Sequence, residues 1–93
     1  MLNFKFRSRI SDYPGEYHVR ETQALLLNDK KDVTSQGFAR QYSKDNDNPA
    51  IGQKFALRDA LSKTKLSKTD KKTIWNNFFS RSKAASQLKG YSN

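Results

Sequence analysis

The chain has 93 residues, 34% hydrophobic and 12% aromatic, enough for one domain built around a single modest core. Its 18 Lys and Arg against 9 Asp and Glu give a formal net charge of +9 and a pI near 10.0, a balance that selects anionic partners. The absence of cysteine excludes a disulfide framework, a thiolate nucleophile and a cysteine-type zinc site. No apolar h-region and no run of about 18 apolar residues is present, so the expectation is a cytoplasmic protein with neither signal peptide nor membrane span.

The first predicted element contains FKFRSRI, Phe4 to Ile10. Phe4, Phe6 and Ile10 share one parity and Lys5, Arg7 and Arg9 the other, the alternation of a strand with one apolar and one cationic face. It spans about Leu2 to Ile10 and ends at SDYPG, where Asp12, Pro14 and Gly15 are turn formers. A second extended run covers Tyr17 to Leu27, although its ETQALLL portion fits a helix as well as a strand. The polar NDKKD at 28–32 reads as a turn, and VTSQGFARQY returns to a strand supported by Thr34, Phe38 and Tyr42. Gly37 inside it signals a bulge or a close backbone approach. Residues 1–43 thus read as a β-meander.

Residues 48–82 read as a helical pair. Asn48 is a good N-cap followed by Pro49 at the first helical position, where a missing N–H is harmless, and the helix runs to about Lys63. Ala56, Leu57, Ala60 and Leu61 form one side of it, small enough for close packing on a sheet. Lys54 and Arg58 lie four residues apart on another side. The second helix begins at Ser67, with Asp70 completing an imperfect capping box, and carries the stripe Ile74, Trp75, Phe78 and Phe79, read as most of the core. Residues 83–93 add a short helical turn ending near Gly90 and a frayed tail.

Charge is unevenly distributed along the chain. Residues 1–50 hold 8 Lys and Arg against 7 Asp and Glu, whereas residues 51–93 hold 10 against 2. The run KTKLSKTDKK at 63–72 places lysines beside a helix N-terminus, where the macrodipole disfavours cations. With the N-terminal N–H groups, Lys68, Lys71 and Lys72 would form a phosphate cradle, against the plain reading of a solvated face. The strand row Lys5, Arg7 and Arg9, with ~7 Å between successive members, and the helical pair Lys54 and Arg58 are further basic groups. If the strand packs its apolar side on the helices, its cations face the opposite way, so one continuous patch is not implied. Tyr13, Tyr17, Tyr42 and Tyr91 are candidate stacking residues or ordinary buried tyrosines.

Catalytic signals are sparse. His18 is the sole histidine, and neither a G-x-S-x-G elbow nor a glycine-rich phosphate loop occurs. DNDN at 45–48 departs from a calcium loop at Pro49, Ala50 and Ala56, and capping accounts for it. The expectation is a non-enzyme without cofactor or metal.

The stretch from Gly37 to Arg81 resembles a module of small phage-encoded accessory proteins. The shared features are G-x-A-R at Gly37, Ala39 and Arg40, G-x-K-x-A-L-x-x-A-L at Gly52, Lys54, Ala56, Leu57, Ala60 and Leu61, and I-W-x-x-F-F-x-R at Ile74, Trp75, Phe78, Phe79 and Arg81. No activity is attached to that family, but small phage accessory proteins commonly act on host machinery or block defence systems, including CRISPR complexes, and action of that kind is the expectation. The element order is also similar to double-stranded RNA-binding domains, but FKFRSRI stands where those have a leading helix.

The expected architecture is α+β: one domain with a three-stranded antiparallel sheet followed by two helices on one face. The expected function is binding of nucleic acid or of a nucleic acid–protein complex, such as a host ribonucleoprotein or defence complex, through Lys5, Arg7, Arg9, Lys54, Arg58, Lys68, Lys71, Lys72 and Arg81. The alternative is a protein inhibitor docking an acidic face of a host enzyme.

Overall fold

The computed structural model describes residues 3–13, 17–42 and 48–89. The expected turn at Pro14 and Gly15, residues 45–47 of DNDN, and Gly90 and Tyr91 lie outside the described residues. Strands β1 (Asn3–Tyr13), β2 (Tyr17–Leu27) and β3 (Val33–Tyr42) form one antiparallel sheet in the order β1-β2-β3. Helices α1 (Pro49–Ser62), α2 (Lys68–Ser80) and the single turn α3 (Lys83–Ser86) follow, giving an α+β domain.

β1 runs three residues beyond the expected end because Ser11, Asp12 and Tyr13 pair with Val19, His18 and Tyr17. β2 is a strand throughout. Its ALLL run occupies the middle of the sheet and is buried on both sides, with Ala24 and Leu26 towards the helices and Leu25 and Leu27 on the other face. A central strand buried on both faces loses its period-two pattern, which is why this sequence also fits a helix.

The β2–β3 turn is organised by Asn28, whose Oδ1 accepts from Lys30 N and Asp32 N, each at 2.9 Å. Lys31 takes a left-handed φ of 65° within it. The register irregularity falls at Leu26/Leu27, not at Gly37. Gly37 is instead the point of closest approach between β3 and α1: a Cβ there would lie 2.0 Å from the Ala56 carbonyl oxygen and 2.2 Å from Ala60 N.

Pairing and contacts fix which side of each strand faces the helices. Phe4 and Phe6 of β1, Thr22, Ala24 and Leu26 of β2, and Ser35, Gly37, Ala39 and Gln41 of β3 point that way. Ser35 Oγ donates to the Ala60 carbonyl at 2.8 Å, and the Phe6 ring meets Phe78 edge-on at 5.9 Å. The main core joins Phe4, Ala24 and Leu26 to Ala56, Leu57, Ala60, Leu61, Ile74, Phe78 and Ala85. The α2 stripe supplies less of it than expected: Ile74 and Phe78 are buried, but Trp75 and Phe79 only partly. A short α2 on the rim of the sheet cannot bury both sides of so broad a stripe, and α1 with β2 provides the centre.

Both helix starts follow their caps. Asn48 Oδ1 accepts from Ala50 N at 3.0 Å ahead of Pro49, and Ser67 Oγ accepts from Asp70 N at 3.1 Å. Ser82 does the same for α3 through Ala85 N.

Candidate nucleic-acid interface

With the helices gathered on one side, none of the described helices covers the other side of the sheet, and the parity of β1 decides what it displays. Lys5, Arg7 and Arg9 stand there in a row. Their neighbours in register are Leu25 and Gln36 beside Lys5, Gln23 and Phe38 beside Arg7, and Glu21 and Arg40 beside Arg9. Adjacent strands are ~4.8 Å apart, so the β1 and β3 side chains flank a floor about 10 Å across.

Glu21 organises the middle of that floor. Its two oxygens accept from Arg9 Nη2 at 3.3 Å and from Arg40 Nη2 at 3.1 Å, holding one guanidinium from each outer strand. Hydrogen bonding to Tyr42 and the charge of Glu21 strengthen the Arg40 proton affinity further. Gln23 Nε2 donates to Gln36 Oε1 at 2.6 Å, closing a second cross-strand link. Four cations against the one carboxylate leave these rows at +3.

Phe38 rises from this polar surface 57% exposed. A depression of about 310 Å³ lined by Arg7, Arg9, Glu21 and Gln23 has Phe38 as a wall, and a second of about 320 Å³ lies between Phe38, Glu21 and Arg40. The Phe38 backbone is pinned: its N–H donates to Asp59 Oδ2 at 3.0 Å. Lys63 Nζ donates to that carboxylate at 3.0 Å and to the Gln36 carbonyl at 3.2 Å, and lies 5.8 Å from the Phe38 ring centroid. The Phe38 amide first, and Lys63 next, hold the Asp59 carboxyl below its ordinary pKa of 3.8. Together they close the middle of the β3 edge, which would otherwise offer bare backbone groups.

The remaining predicted contacts are elsewhere. Arg58 on α1 and Lys68, Lys71 and Lys72 on α2 lie on the helical side, so the basic rows do not converge into one patch. At the α2 N-terminus Asp70 already supplies an acidic group in the first turn, where the macrodipole favours an anion. Lys54 is committed to structure. Its Nζ donates to the Leu88 carbonyl at 3.0 Å and lies 5.8 Å from the Phe79 ring centroid, with burial and then Arg58 lowering its pKa. Arg81 likewise clasps the β1 edge, donating to the Phe4 carbonyl at 2.9 Å with its guanidinium carbon 3.8 Å from the Phe4 ring centroid. Burial lowers its pKa.

Two members of the uncovered face, Phe38 and Arg40, were not predicted as contacts. Their signal was legible: Gly37 and Ala39 are small enough to meet a helix, which sends Phe38, Arg40 and Tyr42 to the opposite side. Of the candidate tyrosines, Tyr42 is on this face and 43% exposed. The side chains of Tyr13 and Tyr17 and the whole of Tyr91 lie outside the described residues.

His18 and Asp12 form an exposed cross-strand pair near the end of β1 and β2. Among the described residues no three His, Cys, Asp or Glu side chains converge on a metal position, and no helix is long and apolar enough to cross a membrane. Compared with protein-family models, curated proteins and solved structures, the chain finds no match.

Proposed function

We propose that this protein is a non-catalytic binding module that holds the phosphates of a nucleic acid against the uncovered face of its sheet. The observation that carries the reading is the gathering of Lys5, Arg7, Arg9 and Arg40 on one face, with none of the described helices over them. Arginine suits this task because its planar fork matches phosphate oxygens in pairs, and contacts of this kind fix position more than sequence. Consistent with the phage-like module described above, the nucleic acid in question is part of a host defence complex, such as a CRISPR effector, which the protein would inhibit in the host cytoplasm.

Fluorescence anisotropy with single-stranded and duplex oligonucleotides at several salt concentrations tests the reading. Each phosphate contact to a single strand adds about 0.7 to the slope of log affinity against log salt, so four cations give a slope no steeper than about −3. Arg7→Gln with Arg9→Gln should abolish most of the affinity, and Lys68→Gln, Lys71→Gln and Lys72→Gln together should remove less. No binding at low salt, or loss only in the α2 variant, would overturn it.

The rival reading is favoured by the β1 edge. Phe4 bonds away from β2 through both backbone groups, so the even residues of β1 turn theirs outward, and Ile10 is 57% exposed there. An acidic extended segment of a host protein could pair with that edge beside Lys5, Arg7 and Arg9. A salt-tolerant stoichiometric complex with such a protein, without nucleic-acid affinity, would establish it instead.

A further inference from the structure

The phosphate reading leaves the centre of the face unexplained, and that centre is where the chemistry is most particular. Glu21 lies between Arg9 and Arg40 and neutralises much of their charge at close range. A phosphate over the middle of the floor would meet a carboxylate. Phosphates are therefore better held at the margins, by Lys5 and Arg7 along β1 and by the outward side of Arg40 on β3. Beside the centre stands the ring of Phe38, exposed, apolar and lining two depressions.

Phe38 is turned to the open side because Gly37 and Ala39, on either side of it, face α1. It occupies the middle of β3 in a strand whose other side packs on α1, and its backbone is held by Asp59 while Lys63 crosses the strand edge next to its ring. The ring is thus presented from a fixed backbone. A rigid aromatic among cations on an open sheet is the arrangement that receives an unpaired base: the ring takes the base's π-face and the cations take the phosphates on either side. A duplex cannot use it, because its bases are stacked on one another. A second copy of this chain does not fit either, since two faces of like charge would meet.

We infer that the ligand is a single strand, with one unpaired base stacked on Phe38 and its flanking phosphates held by the β1 cations and by Arg40. This inference rests on the phosphate-binding reading and narrows its ligand to single-stranded nucleic acid.

The test compares three labelled probes at low salt: a 12-mer single strand (a length of roughly one module's site), an abasic strand with the same number of phosphates, and a duplex. The unmodified protein should bind the natural strand at least about five-fold more tightly than the abasic one, the least that stacking of one base contributes. Phe38→Ala should erase that difference, whereas Phe38→Tyr should keep it. Equal affinity for natural and abasic strands overturns the stacking while leaving phosphate binding intact. So does a Phe38→Ala protein that retains the full preference. Failure of all three probes to bind overturns both readings. The comparison of strands on the unmodified protein needs no variant to fold.

Discussion

Gly37→Ala is the substitution that most directly tests how β3 and α1 are joined. The added methyl would have to occupy a point 2.0 Å from the Ala56 carbonyl oxygen and 2.2 Å from Ala60 N, both main-chain atoms of a helix that cannot yield locally. Restoring ordinary contact requires α1 to lift by over ~1 Å, and a gap of that size forfeits about half of the dispersion well for each atom pair affected. Overpacking of this kind costs about 3 kcal/mol when backbone must move. The same lift stretches the Ser35–Ala60 and Phe38–Asp59 hydrogen bonds, at about 1 kcal/mol each. The expected loss is therefore about 5 kcal/mol, against a total of about 5–14 kcal/mol for a chain of this length. Urea unfolding followed by circular dichroism measures it. Gly52→Ala is the comparison: its Cβ would meet Gln41 Oε1 at 2.3 Å and Thr22 Oγ1 at 3.1 Å, side-chain rather than main-chain atoms, while a helix interior gains up to ~1 kcal/mol from replacing glycine. A Gly37→Ala protein within about 1 kcal/mol of the parent, or no less stable than Gly52→Ala, would refute the packing argument.

Other expectations follow from single contacts. Thr22 is 1% exposed and its hydroxyl has no hydrogen-bond partner among the described residues, so Thr22→Val should raise stability by about 1 kcal/mol, a gain of roughly 4–8 °C in melting temperature. Arg81→Ala removes both the bond to Phe4 and the guanidinium on its ring, costing about 2 kcal/mol, and Arg81→Lys should recover only part, since an ammonium cannot lie flat on the ring. Asp59 has a lowered folded pKa, so its contribution is present above its ordinary pKa of 3.8 and fades as pH falls through the folded value. The stability gap between the parent and Asp59→Ala, small because the site is exposed, should hold from about pH 8 to about pH 5 and shrink in more acid solution. A gap that widens in acid would contradict the assigned partners.

Apart from ETQALLL in β2, the sheet and both long helices were readable from local signals, because alternation, caps and turn residues act within a few positions of themselves. FKFRSRI carries its own two faces, and Asn48-Pro49 and Ser67 mark the helix starts. What local signals could not supply was the placement of groups distant in sequence. Arg81 and Lys54 read as free cations because the groups that engage them are 77 and 34 positions away, at the Phe4 and Leu88 carbonyls. Phe38 read only as support for a strand, because strand propensity says that an aromatic belongs in a strand, not on which side. The side is set by Gly37 and Ala39, small enough to meet α1, a signal that is present in the sequence but ambiguous because Gly37 fits a bulge as well.

The distribution of charge gives the same lesson with consequences for binding. The C-terminal half holds nearly all of the net positive charge, yet the face that combines cations with an exposed aromatic is built from the nearly neutral first 42 residues. These two facts are compatible because charge acts at two ranges. Exposed Arg58, Lys68 and Lys72 on the helical side shape the field felt beyond a Debye length of about 8 Å only weakly at physiological salt, but they raise the local concentration of an approaching polyanion. On the proposed reading, holding that polyanion demands geometry: cations set in register on β1 and β3, and a ring fixed by the Asp59 bond at the β3 edge. A long flexible lysine on a helix surface recruits without orienting. The sheet would orient such a ligand because the register of three strands sets every side chain on it, and the sign of the whole chain would then matter mainly for how often the ligand arrives there.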